Sequence, residues 1–371
     1  MPRLVAIGLP GTDGFVVTLR RIWDDGDAAL VLDRRAPPAA TAVLLDELRP
    51  SVIVDADGEH RLAGGRPTEP GDALVVATSG STGVPKGVVL THDAVRSSAL
   101  ATTARLGLTS ADTWLACLPL AHVGGLAVVT RALVTGTGLV VHDGFDAAAA
   151  MRAAEEGATA VSLVATALAR IDPAKFEVIV LGGSRPPADR PANAVTTYGM
   201  TETGSGVVYD GRPLDGVEVR IDHDGEIHLR GPMLMRGYRG RHAPAHPLDA
   251  DGWLSTGDAG RWLADGRLHV DGRRGDLIIS GGENVWPEPV EAALRALPGV
   301  AEAVVAGRPD PEWGERVVAW IVPDGAAPSL DAVRGHVRAT LPAFMAPREV
   351  HLVDEVPRTA LGKPARHLLR P

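Results

Sequence analysis

The chain has 371 residues, 45% of them hydrophobic but only 4% aromatic, and a formal net charge of −9. That length points to two or more domains packed chiefly by Ala, Val and Leu. The negative charge argues against general nucleic-acid or anionic-membrane binding, which needs a basic face, while leaving room for a local phosphate site.

At the N-terminus, MPRLVAIGLPGTDGF lacks the apolar stretch of a signal peptide. No window of the chain reaches the roughly 18 uninterrupted apolar residues of a membrane span, so a cytoplasmic protein is expected. Ala28–Leu32 and Ser51–Val54 read as strands with a helix at Pro38–Leu48 between them, and Gly58–Gly71 reads as an exposed loop. Ala73–Thr78 is a buried-strand run that ends in a loop rich in Gly, Ser and Thr. Further strands at Leu139–His142, Ala160–Val164 and Val178–Leu181 alternate with helical stretches at 146–156 and 165–171, the pattern of a parallel sheet covered by helices. Cys117, the single cysteine, excludes a disulfide framework and, in its apolar setting, reads as an inert buried thiol. From about residue 205 the texture changes. Val217–Ile221, Glu226–Arg230 and Gly260–Val270 are short alternating segments among Asp-Gly pairs, which predicts a small antiparallel sheet or barrel. A compact unit follows Gly272, with helices at Glu288–Leu297 and Leu330–Leu341 and strands at Ala301–Ala306, Val317–Val322 and Val350–Val353. The fold class is therefore α/β. A large N-terminal domain (1–271) has parallel sheets and a small antiparallel β subdomain, and a small α+β domain (272–371) follows.

The strongest chemical signal is Thr78-Ser79-Gly80-Ser81-Thr82-Gly83-Val84-Pro85-Lys86-Gly87. Glycines let backbone N–H groups turn inward, the hydroxyls add donors, and Lys86 adds charge, so the loop can wrap a polyphosphate. It is not a Walker loop, because Gly87 rather than Ser or Thr follows the lysine.

This segment resembles the phosphate loop of the adenylate-forming superfamily of acyl- and aryl-CoA ligases, luciferases and adenylation domains. Other motifs of that superfamily follow in order across roughly residues 73–371. The resemblance implies ATP, Mg²⁺ and coenzyme A as ligands, and a carboxylic acid activated as an acyl-AMP. Thr78, Ser79, Gly80, Ser81, Thr82, Gly83 and Lys86 would hold the phosphates. Gly182, Gly183 and Ser184 would pack against the adenine. Tyr198, Gly199 and Met200 open the adenine and metal motif, in which Thr201 reaches a phosphate oxygen and Glu202 holds Mg²⁺. Asp258 matches the ribose site, where a carboxylate accepts from vicinal hydroxyls, and Arg273 would hold ribose or phosphate. The hinge position carries Gly275 where the superfamily has Asp or Lys. Gly281 and Gly282 match the loop that faces the thiol acceptor. Lys363 matches the lysine that bridges substrate carboxylate and α-phosphate from a mobile C-terminal domain, and His122 matches the residue beside the acyl pocket.

Within the superfamily, the early phosphate loop and the runs 196–203, 208–211 and 213–217 resemble the short actinobacterial o-succinylbenzoate–CoA ligases of menaquinone synthesis. A substrate with a second carboxylate would want a cationic anchor, for which Arg131 and Arg185 are candidates. Gly282–Pro287 has the commoner acyl-CoA synthetase form. Other readings are a ligase for another aryl or fatty acid, a stand-alone enzyme loading a carrier protein, and a non-catalytic nucleotide sensor. The intact Lys86, Glu202, Asp258 and Lys363 weigh against the sensor. A homodimer is left open as its assembly.

Overall fold

The computed structural model describes residues 1–79, 85–183, 189–241, 247–358 and 364–369. It divides into two compact units: Met1–Arg220 with His228–Ser255 and Leu263–Leu268, and Ile221–Ile227 with Thr256–Trp262 and the chain from His269 onward.

The first unit contains two seven-stranded sheets. In the first, the order is Gly237–Arg239, Pro85–Thr91, Asp72–Ser79, Ala28–Val31, Leu4–Ile7, Val52–Asp55 and Gly58–Arg61. Leu4–Ile7 has no counterpart among the predicted elements, yet it lies inside the sheet, parallel to both Ala28–Val31 and Val52–Asp55. The following helix, Asp13–Asp24, buries Phe15, Leu19 and Ile22, one face of a 3.6-residue period. Gly58–Arg61 corrects the expected loop: it is an edge strand antiparallel to Val52–Asp55. All four of its residues are exposed, so it has no apolar alternation to read. In the second sheet the order is Arg212–Pro213, Ser205–Tyr209, Ala194–Met200, Val178–Leu181, Ala160–Leu163, Thr113–Ala116 and Gly138–Val141. Its last five strands are parallel. The helix expected over 165–171 is only Ala165–Leu168.

Successive residues of each strand feed different cores, as the two-residue period of a strand demands. Val5, Ile7, Leu74, Val76, Val88 and Leu90 of the first sheet join Trp114, Ala116 and Val180 of the second in one shared core. Leu4, Ala6, Val75 and Val89 point to the opposite side, where Leu48 of helix Pro38–Leu48 meets them. Leu115, Cys117, Val161, Ile179 and Leu181 do the same on the far side of the second sheet, beneath Ala150 and Ala153 of helix Ala147–Glu155.

A four-stranded sheet follows in the order Glu218–Ile221, Glu226–Arg230, Leu254–Trp262 and Leu268–Arg273. The single run expected at Gly260–Val270 is divided between two strands. Asp265-Gly266 makes the turn, with Gly266 at φ +77° and Leu263 N donating to Arg267 O at 2.8 Å.

In the second unit, Gly314–Pro323 pairs antiparallel with Val300–Asp310 and with Ile278–Ser280, and parallel with Glu349–Leu352. Helices Pro287–Arg295 and Leu330–Thr340 bury Val290, Leu294, Val333 and Val337 against Val305, Val317, Ala319 and Ile321. Arg366 holds the tail to this unit, with Nη2 donating to Glu291 Oε1 at 2.7 Å and Nη1 to Asp276 Oδ2 at 3.0 Å. Among the described residues, no helix is long and apolar enough to cross a membrane.

Cys117 is buried, and burial pushes its thiol up to about 12. Almost no thiolate is therefore present at pH 8 in the folded chain. Iodoacetamide is expected to leave Cys117 unmodified under native conditions and to alkylate it fully in denaturant. Fast native labelling, read by mass spectrometry, would contradict this packing.

Candidate active site

Because both sheets are covered on both faces, polar chemistry collects where strands end. Thr78 stands opposite Lys86 in the antiparallel pair Asp72–Ser79 and Pro85–Thr91, and its Oγ1 donates to Lys86 O at 3.4 Å. Ser79 ends its strand. Gly80, Ser81, Thr82, Gly83, Ser184, Arg185 and Lys363 lie outside the described residues.

Lys86 does not point into solvent. Its Nζ lies 3.7 Å from Glu202 Oε1 and 3.6 Å from the centre of the Tyr238 ring. Tyr238 OH donates to the same Glu202 Oε1 at 2.8 Å. The structure thus brings together two of the sequence candidates, Lys86 and Glu202, around a tyrosine that sequence reasoning missed. Glu202 belongs to the short 3-10 turn Thr201–Thr203, which directly follows strand Ala194–Met200. Thr203 fixes that turn: its Oγ1 accepts from Met200 N at 2.9 Å and donates toward Ser205 O at 2.7 Å.

Tyr198 and Gly199 sit at a bulge between Ala194–Met200 and Ser205–Tyr209. Gly199 is required by close approach, since a Cβ there would lie 2.2 Å from Ser205 O. The strand carrying Tyr198 is tied down by Asp210, whose Oδ1 accepts from Thr196 N at 3.0 Å and Thr196 Oγ1 at 2.9 Å and pairs with Arg190. Burial raises the Asp210 carboxyl, but these bonds outweigh it and hold the group below its ordinary range. Gly182 and Gly183 follow strand Val178–Leu181, and Gly183 takes φ +82°.

His122 caps the start of helix Val123–Thr135, with Nε2 3.8 Å from Asp33 Oδ2. The Arg35 hydrogen bond keeps the Asp33 carboxyl below its usual range. Nine residues further along that helix, Arg131 is 2% exposed. One nitrogen, Nη2, donates to Ser205 Oγ at 3.2 Å, and the guanidinium lies 4.8 Å from the Trp114 ring centre. Nε and Nη1 have no hydrogen-bond partner among the described residues. Burial pulls the Arg131 pKa down from its ordinary value. A narrow cavity of about 10 Å³ is lined by Arg131, Thr130, Ser98 and Gly204, the residue after the Glu202 turn.

In the second unit, Arg273 Nε lies 3.1 Å from Asp258 Oδ1, and its Nη1 donates to Thr256 O at 3.1 Å. Glu226, also missed from sequence, braces this pair. It accepts from Gly257 N at 3.1 Å and from Arg274 Nη1 at 2.7 Å. Gly281 and Gly282 form the two-residue turn joining Ile278–Ser280 to Glu283–Val285, at φ +62° and +83°. That turn type demands positive φ at both positions, a conformational reason for the glycines independent of any ligand. At Gly275 a Cβ would meet nothing within 4 Å, and the backbone is not left-handed.

A family model for AMP-binding enzymes matches residues 18–239, and one for the AMP-binding enzyme C-terminal domain matches residues 289–363. The chain belongs to the AMP-binding enzyme family. A Mycobacterium tuberculosis protein described as a probable 2-succinylbenzoate–CoA ligase is 40% identical over 95% of this chain and 93% of its own length. Among solved structures of this family, o-succinylbenzoate CoA synthetase from Bacillus subtilis with its acyl-adenylate intermediate superposes with a TM-score of 0.90, at 28% identity, over 100% of this chain and 88% of that one. The same enzyme with ATP and magnesium gives a TM-score of 0.86, at 29% identity, over 99% and 89% of the two chains. Glu202 suits the magnesium that family members use. It is a hard carboxylate donor, 14% exposed, with only Oε1 engaged, by Tyr238 and Lys86, among the described residues, and Mg²⁺ takes few protein ligands beside phosphates and waters.

Two glycines should separate packing demand from conformational freedom. Gly199→Ala is expected to destabilise the chain by about 1–3 kcal/mol through overpacking. Gly275→Ala should be neutral or stabilise by about 0.4–1 kcal/mol through the unfolded state. Denaturant midpoints measure both; equal shifts would contradict the geometry.

Proposed function

We propose that this chain is an AMP-forming o-succinylbenzoate–CoA ligase. The observation that carries the substrate is Arg131. A guanidinium buried with two of its nitrogens unpartnered among the described residues is costly, and a carboxylate is the group that completes it. A dicarboxylic acid supplies one: its first carboxylate is activated and its second meets the arginine. The relatives named for o-succinylbenzoate, an acid of this kind, point the same way.

The first half-reaction joins a carboxylate oxygen to the α-phosphorus of ATP and releases pyrophosphate. In the second, the thiol of coenzyme A attacks the acyl carbon, forming a thioester and releasing AMP. Thr78, Ser79, Gly80, Ser81, Thr82, Gly83 and Lys86 hold the phosphates, with Thr201 on a phosphate oxygen. Tyr198 stacks on the adenine beside Gly182, Gly183 and Ser184, and Asp258 with Arg273 holds the ribose. His122 borders the acyl pocket, and Gly281 and Gly282 face the thiol. Magnesium, when bound through Glu202, screens the phosphate charge. Lys363 supplies the cation for the reacting oxygens. The reading assigns residues 1–271 to ATP and acid binding, and residues 272–371 to Lys363 and the exchange between half-reactions. A ligase that draws on ATP and coenzyme A is expected to work in the cytoplasm.

The test of substrate is thioester formation with o-succinylbenzoate against monocarboxylic acids of the same size. Arg131→Met should lower kcat/KM for o-succinylbenzoate by roughly 10²–10³-fold, the cost of stripping the partner from a buried charge. The same variant should leave the monocarboxylic analogues little changed and should raise Tm. Equal turnover of both acids by the unaltered enzyme would defeat the assignment. For mechanism, Lys363→Ala is expected to slow acid-dependent ATP–pyrophosphate exchange by about 10²–10³-fold, while thioester formation from pre-made acyl-adenylate survives. Parallel loss of both in a folded variant would argue against the assigned role.

A further inference from the structure

Lys86 and Glu202 carry opposite charges and face each other, yet each has separate work in the proposed reaction. A direct contact pair would place N⁺–H···O⁻ at about 2.7–2.9 Å. The observed separation is 3.7 Å. Tyr238 fills the difference: its hydroxyl donates to Glu202 Oε1 at 2.8 Å, and its ring lies 3.6 Å from Lys86 Nζ.

The tyrosine is held from both sides. Strand Gly237–Arg239 pairs with Pro85–Thr91, placing Tyr238 opposite Val88 and diagonal to Lys86, within reach of a long side chain. On one flank, Arg236 donates to Asp72 Oδ2 at 2.8 Å and pairs with Glu69. On the other, buried Arg239 donates to the carbonyls of Leu48, Pro67, Arg49 and Arg66. The turn bearing Glu202 is joined to the residues leading into this strand, since Met235 N donates to Glu202 O at 2.8 Å.

We infer that Tyr238 is a positioning residue for the metal and phosphate site. It fixes Glu202 through Oε1 so that Oε2 is presented to the divalent cation, and it keeps Lys86 on its ring so that the ammonium does not collapse onto the carboxylate. Without the hydroxyl, the Glu202 carboxylate is free to swing onto Lys86, and that pair must be broken each time metal and nucleotide enter. The inference rests on the ligase reading for the reaction it serves, but its central measurement does not.

The test is Tyr238→Phe, which keeps the ring beneath Lys86 and the strand pairing. Mn²⁺ affinity is measured by electron paramagnetic resonance on the full chain with α,β-methylene-ATP, which cannot be cleaved at the α-phosphate. Loss of one hydrogen bond to a charged group predicts about a tenfold or greater loss of Mn²⁺ affinity. The Mg²⁺ half-saturation for o-succinylbenzoate-dependent pyrophosphate exchange should rise by the same factor, with the rate at saturating Mg²⁺ largely restored. In a Glu202→Ala background, adding Tyr238→Phe should cost less than about twofold, because the acceptor of the tyrosine hydroxyl is gone. Unchanged Mn²⁺ affinity, or an equal loss in both backgrounds, overturns the role. Absence of acid-dependent exchange in the unaltered enzyme would count against the ligase reading, and the Mn²⁺ comparison would still decide the fate of Tyr238.

Discussion

The first unit is governed by the covering of both faces of each of its two sheets. Once alternate residues of a strand serve two different cores, a polar side chain within the strand would be stranded in one of them. Polar groups must therefore leave from strand ends. Asp33 follows Ala28–Val31, Gly182 and Gly183 follow Val178–Leu181, and Glu202 follows Ala194–Met200. Lys86 is near the start of its strand, but that strand runs antiparallel, so the lysine faces Thr78 at the end of its neighbour. One packing rule thus sends residues that are far apart in the chain to strand ends, where Lys86 meets Glu202.

Arg131 is the exception that the rule makes informative. It lies inside the shared core, on a largely apolar helix, against Trp114. Among the described residues, its single side-chain hydrogen bond goes to Ser205, three residues beyond Glu202. An apolar residue of similar length would pack there at lower cost, so packing alone does not account for the charge, in keeping with the role proposed for it. The charge rides the helix begun by His122 and reaches Ser205, just beyond the turn of Glu202.

Rigid support recurs behind the chemical groups. Thr203 locks the Glu202 turn, Asp210 anchors the strand of Tyr198, and Glu226 braces the Asp258 loop and Arg274. Arg239 gathers four backbone carbonyls beside Tyr238. None of these would touch a substrate in the proposed reaction. Each removes freedom from a residue that would, which is how a site on strand ends and short turns gains definition.

Much of this was legible in the sequence because its causes are local. A run of small and branched apolar residues makes Val178–Leu181 a strand wherever it lies. The glycines and hydroxyls of residues 78–87 have the chemistry that a phosphate loop needs, and Gly281-Gly282 declares a turn. The order of such motifs was enough to indicate the family. What stayed hidden depends on partners distant in the chain. Leu4–Ile7 is too short to stand out until two neighbouring strands pair with it, and Gly58–Arg61 is a strand only because Val52–Asp55 offers it an edge. Tyr238 meets Glu202 across 36 residues of chain, and nothing in the Gly-Tyr pair marks that meeting beforehand. Arg131 is a plain cation in the sequence; only burial between the sheets, with two of its nitrogens unmatched among the described residues, makes it a candidate to meet an anion. Local composition settled which chemistry the chain could perform, whereas tertiary packing decided which charges face one another and which were left to be completed by a ligand.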